Sequence, residues 1–112
     1  MLNQIILVGR LTRNITINKS EKGNKVATIS LAIPRSFKNS DGVYDTDFID
    51  CVAFDNIAEN TGEYCSKGDI IGVKGRVQSR VVEAEDKKEY LMEIIAEKVT
   101  FLSSKKEEEA DE

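Results

Sequence analysis

The sequence has no histidine, no tryptophan, only two cysteines and one proline among 112 residues. Without histidine there is no His-based catalytic triad, no imidazole general base and no histidine metal ligand. Cys51 and Cys65 are too few for a four-cysteine zinc site and too far apart for a CxxC redox pair. We expect both thiols to be free and buried, because free cysteine is among the most buried residue types. These absences argue against an enzyme, a metal centre and a bound cofactor.

Long apolar runs are also absent. The longest are short segments such as IILV at residues 5–8, whereas a membrane-spanning helix needs about 18 apolar residues. The opening MLNQIILVGRLTRN lacks the basic region of a signal peptide. The sequence therefore predicts no membrane segment and a cytoplasmic protein.

The net charge of −4 is unevenly distributed. The last ten residues contain five acids and two lysines, so residues 1–102 keep 14 basic and 15 acidic residues and are nearly neutral. From residue 103 the apolar pattern stops, and such a charged run cannot bury enough surface to fold. We expect one folded domain over residues 1–102, followed by a disordered acidic tail over 103–112.

Most of the folded part alternates apolar and polar residues with the period of a β-strand. The fifth expected strand would also suit a helix, because it carries glutamates and Ala96. The five expected strands are Leu2–Leu11 (with Ile15–Lys19 as a candidate extension), Lys25–Ile33, Thr46–Phe54, Asp69–Val82 and Glu89–Leu102. Pro34 is expected to end the second strand, and Arg35–Asp45 to form a mobile loop or loose hairpin.

One helix is expected between the third and fourth strands. Apolar and small residues fall at helical spacing on one face: Ile57, Ala58, Thr61, Tyr64 and Cys65. Asn56 with Glu59 has the spacing of a capping box, and Gly68 stands where a left-handed C-terminal cap would lie. Gly62 costs the helix about 1 kcal/mol relative to alanine, so the helix must depend on tertiary packing. This order of elements predicts an all-β protein with a five-stranded OB barrel.

Two strands carry candidate binding residues. On the third, Ile49, Cys51 and Ala53 share one face, while the other face has Phe48, Asp50 and Phe54. Because core faces rarely hold an unpaired carboxylate, the second face is a candidate binding surface. The alternative, that both phenylalanines pack under a loop, stays open at this point.

On the fourth strand, Lys74, Arg76 and Arg80 alternate with apolar residues. They suit phosphate binding, but an ordinary solvated surface or the protection of an edge strand would look the same. Further candidates are Arg10, Tyr90 and the RSFK run, which contains Arg35, Phe37 and Lys38. Interleaved rings and cations are typical of surfaces that bind single-stranded nucleic acid, where bases stack on rings and cations contact phosphates.

Several blocks of the chain also resemble the bacterial-type single-stranded DNA-binding proteins of replication, including phage-encoded relatives. The similar blocks are MLNQIILVGRLT, NKVATISLAI, TDFIDCVAF, YCSKGDIIGVKGRVQSR and AEKVTFL, in order over nearly all of residues 1–102. The resemblance implies an OB fold, a homotetramer, and binding of single-stranded DNA without sequence preference and without catalysis. By the same resemblance, Phe37, Phe48 and Phe54 are stacking residues, and Lys67 and Arg80 are basic contacts.

The chain departs from this family in places that matter for binding. Phenylalanine replaces the tryptophan that the family often has at its stacking positions, so we expect weaker stacking per base. Val82 stands where another aromatic residue is usual, and Asp50 where a basic residue is common. The acidic run EEEADE lacks the terminal hydrophobic residues through which family members recruit replication and repair proteins.

The sequence therefore predicts a non-enzymatic protein that binds and protects single-stranded DNA in replication, recombination and repair, near the nucleoid. Two alternatives remain. One is an OB module for RNA or for a replication-initiation complex. No sequence feature here reads a 2′-hydroxyl, so the preference for DNA or RNA has to be measured. The other is a protein-assembly module that uses the same aromatic face.

Overall fold

The computed structural model describes residues 1–104, and they form six strands and one helix. The strands are β1 (Ile5–Leu11), β2 (Ile17–Lys19), β3 (Lys25–Lys38), β4 (Tyr44–Phe54), β5 (Ile70–Ala84) and β6 (Lys87–Ser103). The helix α1 (Asp55–Tyr64) lies between β4 and β5. Within this part of the chain no helix is long and apolar enough to cross a membrane. The predicted acidic tail lies, from residue 105 onward, outside the described residues.

The strands close into a barrel. They hydrogen-bond in the order β1-β5-β6-β4-β3, and β1 pairs again with β3 to complete the ring. All of these pairs are antiparallel except β4–β6, which is parallel. Strand β2 pairs with β3 on the side that β1 also uses, so it continues β1 along that edge. The predicted all-β OB barrel is confirmed.

The barrel core is built from the inward half of each alternating strand. Ile29 and Leu31 on β3, Cys51 on β4, and Ile71 and Val73 on β5 are almost completely buried. Gly75 is required where β5 crosses β6, because an added Cβ would stand 1.9 Å from the Ile95 carbonyl oxygen. The helix packs on β2, β3, β4 and β6 and buries Ala58 and Thr61.

The predicted end of the second strand at Pro34 is wrong. Strand β3 runs through Pro34, which pairs with Thr46, and continues to Lys38 opposite Tyr44. Beyond the barrel this segment has a partner strand on one side only, and proline is tolerated on such an edge. Of the two expectations for Arg35–Asp45, the hairpin is therefore correct and the loop is wrong, because two paired strands are joined by a short connection over residues 39–43.

The predicted helix is present, but its predicted caps are wrong. The helix begins at Asp55, no side chain caps it, and Glu59 forms an ion pair with Lys25. The helix ends at Tyr64, Cys65 follows in extended conformation, and Gly68, at a φ of +95°, serves the following turn. Tyr64 was expected on the buried face but is exposed.

Gly62 lies where the helix packs against β2. A Cβ there would meet the Ile17 side chain at 3.3 Å, so the glycine lets β2 approach the helix closely.

Candidate nucleic-acid interface

The outward face of β4 carries exposed aromatic rings. Phe48 is 76% exposed and Phe54 is 41% exposed, with Asp50 exposed between them. Cys51 and Ala53, which alternate with them, are completely buried. The predicted division of this strand is confirmed, and the alternative that both phenylalanines pack under a loop is wrong. Rings held outward on a rigid strand can accept stacked bases.

Arg10 lies in the same cross-strand row as Phe48. Arg10 pairs with Ala32, and Ala32 pairs with Phe48. Directly opposed residues of antiparallel strands project to the same face, so the cation and the ring share one surface. They are two strands apart, or about 10 Å. That separation suits a single nucleic-acid strand in which a base stacks on the Phe48 ring while a phosphate contacts the Arg10 guanidinium.

The turn after the helix brings a second cation to Arg10. The Arg10 guanidinium donates from Nη1 to the Gly68 carbonyl oxygen at 2.6 Å. The backbone N–H of Lys67 donates to Asn14 Oδ1 at 2.8 Å, which ties this turn to the loop after β1. Arg10 and Lys67, far apart in sequence, therefore lie together at one edge of the face.

The cations of β5 also face outward, and two of them are paired. Arg76 lies 3.5 Å from Glu97, and Arg80 Nε lies 2.8 Å from Glu93 Oε1. Lys74 forms no ion pair within residues 1–104. The β5 stripe is therefore less positive than its sequence indicates. Exposed ion pairs contribute only about 0–1 kcal/mol, so a phosphate can replace the carboxylate.

Arg76 belongs to the same surface as the aromatic strand. It pairs with Ile95 on β6, and Ile95 pairs with Val52 on β4. Val52 stands between Asp50 and Phe54 on the outward face. The structure thus places one β5 cation about two strand spacings from Val52, two residues before Phe54 on the same face.

The β3–β4 arm extends beyond the barrel and holds the RSFK residues on a strand rather than in a loop. Arg35 binds Asp47 in a bidentate arrangement, with Nη2–Oδ1 at 2.9 Å and Nε–Oδ2 at 3.1 Å. This hydrogen bonding holds the pKa of Asp47 below its usual value. The Arg35 guanidinium also lies 6.0 Å from the centre of the Phe37 ring, which is 62% exposed. Asp47 and Arg35 together position a ring on the arm.

Lys38 and Tyr44 form a second cation–ring pair on the same arm. The Lys38 Nζ lies 5.7 Å from the centre of the exposed Tyr44 ring. The sequence reasoning missed Tyr44, although its place two residues after the Asp-Gly turn signal marks it as the start of a returning strand.

Tyr90 lies apart from the cations of β5. It is exposed and pairs with Val81, whereas Arg80 pairs with Leu91. Because neighbouring residues of a strand project to opposite faces, Tyr90 and Arg80 point to opposite sides of the long β5–β6 arm. Strand β6 begins at Lys87, two residues before the expected start of this strand at Glu89.

The two cysteine thiols lie inside the protein and are unsuited to act as nucleophiles. Cys51 and Cys65 are buried and unpaired, as predicted. Burial, with a smaller contribution from Asp50, raises the pKa of Cys51 to about 11. Within residues 1–104 no group of three or more carboxylate or cysteine side chains is placed to hold a metal ion.

Comparison with known proteins identifies the family. The model of the single-strand binding protein family matches residues 2–102. The chain belongs to this family. It is 41% identical over 111 residues to single-stranded DNA-binding protein B of Bacillus subtilis, covering 98% of both chains. It is 46% identical over 106 residues to single-stranded DNA-binding protein 3 of Listeria innocua, of which it spans 66%. A family of binding proteins agrees with the expectation that the chain is not an enzyme.

Solved structures of other single-strand binding proteins share the fold. A Plasmodium falciparum single-strand binding protein in complex with single-stranded DNA matches with a TM-score of 0.76 and 30% identity, covering 92% of this chain and 96% of that one. A deletion mutant of the Thermus aquaticus single-stranded DNA binding protein also gives a TM-score of 0.76, at 25% identity, covering 93% of this chain and 52% of that one. The barrel and its helix are thus the framework of this family.

Proposed function

We propose that residues 1–102 form a domain that binds single-stranded DNA without sequence preference and without catalysis. Bases stack on Phe48 and Phe54, and phosphates contact Arg10, Lys67 and the β5 cations. The observation that carries the proposal is the outward row of Arg10, Ala32 and Phe48, which puts an exposed ring and a cation on one face. Stacking is indifferent to base identity, which accounts for the lack of sequence preference.

The two arms extend this surface. The ring of Phe37 on the β3–β4 arm, with Arg35 beside it, offers a further stacking position, and Lys38 lies near the Tyr44 ring on the same arm. Arg76 and Arg80 exchange their glutamate partners for phosphates when DNA binds. Tyr90 contacts DNA only if the strand passes over the other side of the β5–β6 arm.

A homo-oligomer, and specifically a tetramer, is the second part of the proposal. Ile6 and Val8 are exposed apolar residues on the outward face of β1, and Leu102 on β6 is exposed as well. Val8 lies opposite Gly72, beside which the Leu102 side chain stands. Contiguous exposed apolar residues mark protein–protein contacts. We infer that this β1 patch is covered by another copy of the chain.

The biological role follows from the binding. A protein that covers exposed strands serves DNA replication, recombination and repair in the cytoplasm, near the nucleoid.

The test is a competition measured by fluorescence polarisation. A labelled oligothymidine is bound at low and moderate salt and then competed with unlabelled duplex DNA, RNA and oligothymidine of equal length. We expect displacement by oligothymidine, weak displacement by duplex, and a log–log salt slope set by the number of phosphate contacts. Equal displacement by duplex contradicts the proposal, and stronger displacement by RNA favours the RNA-binding alternative.

The double variant Phe48→Ala/Phe54→Ala separates DNA binding from protein assembly. Our proposal predicts that it loses DNA binding and keeps its oligomeric state in light scattering. Loss of the oligomer with retention of DNA binding would favour the protein-assembly module.

A further inference from the structure

A polar cleft opens beside the stacking rings, between the loop after β1 and strands β2 and β3. Its volume is about 260 Å³. We call it the polar cleft, and its lining residues are Arg13, Asn14, Thr16, Asn18, Val26 and Thr28. The proposed function uses none of them. Their polar character, next to a face of aromatic rings, raises the question of what the cleft binds.

The polar cleft is continuous with the aromatic face. Asn18 on β2 pairs with Val26 on β3, and Val26 pairs with Phe54 on β4. Directly opposed residues project to the same side, so the three side chains form one outward row. Adjacent strands are about 4.8 Å apart. A base stacked on Phe54 therefore has its edge within reach of the cleft.

Arg13 is the one charged residue among those that line the cleft. Its Nε donates to Ser30 Oγ at 3.0 Å, and Ser30 pairs with Asp50 across β3 and β4. This bond holds the guanidinium on the outward face, near the carboxylate that is unfavourable for DNA. Within residues 1–104 Arg13 makes no other hydrogen bond or ion pair. Its Nη groups are available for a phosphate, which a guanidinium can bind with two charge-assisted hydrogen bonds.

The remaining lining residues offer both donors and acceptors. Among the described residues, the side chains of Thr16, Asn18 and Thr28 make no hydrogen bond to protein. A hydroxyl or an amide can both donate and accept, so these groups can pair with the edge of a base. Asn14 is different, because its Oδ1 already accepts the backbone N–H of Lys67 at 2.8 Å. That bond places Lys67 at the rim.

We propose that the polar cleft is a nucleotide subsite of the DNA-binding face. One base of the single strand stacks on Phe54 with its edge hydrogen-bonded by Asn18 and Thr28, while Arg13 binds the adjoining phosphate. This subsite rests on the proposed function and adds to it a contact that depends on the base edge. Arg13 also offsets the charge of Asp50, which lets the face tolerate an acid.

The test compares two ligands of equal length and phosphate number, an oligothymidine and an abasic oligomer that has no bases. The variants are Arg13→Gln, the double change Asn18→Ala/Thr28→Val, and Lys19→Gln as the control for loss of one positive charge. All four positions are exposed, so each variant should fold, and thermal unfolding checks this. Lys19 projects to the face of β2 opposite Asn18, and it pairs with Lys25, whose ion pair with Glu59 places that face toward α1 and away from the cleft.

The double variant should bind oligothymidine about 3- to 10-fold more weakly, the loss expected for one or two hydrogen bonds. It should bind the abasic oligomer as wild type does. The Arg13→Gln variant should weaken binding of both ligands and reduce the log–log salt slope by about 0.7, the value for one phosphate contact on a single strand. Lys19→Gln should leave the affinity for both ligands and the salt slope unchanged.

Two results would overturn the subsite. The first is a double variant that binds oligothymidine like wild type or loses affinity equally for both ligands, and the second is an Arg13→Gln variant that behaves like Lys19→Gln. Phe48→Ala, measured alongside, separates this failure from failure of the proposed function. If wild type binds oligothymidine and only Phe48→Ala weakens it, the cleft inference alone fails. If wild type does not bind, both proposals fail.

Discussion

Removal of the Phe48 ring should affect the affinity for DNA and the free energy of unfolding to different extents. Phe48 is 76% exposed, so about a quarter of its surface is buried in the folded protein. Complete burial of such a side chain is worth about 1.5–3 kcal/mol, and a quarter of that is less than about 1 kcal/mol. Loss of a stacked base costs about 1–3 kcal/mol. We therefore expect Phe48→Ala to lower DNA affinity far more than it lowers the free energy of unfolding.

The expected loss for Phe48→Ala is about 5- to 150-fold in Kd for oligothymidine, from tenfold per 1.4 kcal/mol. The Tm should fall by only a few degrees. The assays are fluorescence polarisation at fixed salt and thermal unfolding of the same preparation. Phe101→Ala is the matched control, because Phe101 is also a partly exposed phenylalanine but lies in the groove between α1 and β6. Equal loss of affinity in both variants, or less than twofold loss for Phe48→Ala, would contradict the expectation that a base stacks on Phe48.

Three further predictions concern charge, protonation and packing. Asp50→Asn should tighten binding of oligothymidine at low salt, because it removes a carboxylate from the outward face, and the gain should shrink as salt screens the charge; an unchanged Kd at low salt would contradict this. Because the pKa of Cys51 is raised from 9.0 to about 11, the thiol stabilises the fold below pH 9.0, and that stability is lost as pH rises toward 11. Urea unfolding should show this loss in wild type, and a Cys51→Ala variant with the same slope would contradict it. Gly75→Ala should lower the free energy of unfolding by about 1–3 kcal/mol or more, since its Cβ meets a carbonyl oxygen at 1.9 Å, whereas Gly72→Ala, with its nearest contact at 3.8 Å, should cost less; similar Tm values would contradict this.

The strand alternation was readable from sequence because burial enforces it. On β4 the inward positions had to be small and apolar, as Cys51 and Ala53 are, and this left Phe48 and Phe54 for the outside. The same alternation divided β5 correctly into buried Val73 and exposed cations. Where one face of a strand is buried, register and face follow from the period alone.

The arm and the helix ends were not readable in the same way. A proline ends a central strand but is tolerated on an edge. Only the topology shows that β3 has a single neighbouring strand at Pro34. Glu59 has the spacing of a capping box, yet its carboxylate forms an ion pair with Lys25, which is distant in sequence. Tertiary partners decided both cases.

The charge state of the site also depended on cross-strand pairing. Arg76 and Arg80 suggested a positive stripe, but the register places Glu97 and Glu93 beside them. The polar cleft was missed because Arg13 and its companions are spread over a loop and two strands, and no local pattern joins them.

Photocrosslinking tests whether DNA lies on the outward face of β4. An oligothymidine containing 5-iododeoxyuridine is irradiated with the full chain, and the crosslinked residues are mapped by mass spectrometry. We expect crosslinks at Phe48 and Phe54, which disappear in the presence of excess unlabelled oligothymidine. Crosslinks confined to Tyr64 and Phe101, in the groove between α1 and β6, would contradict it.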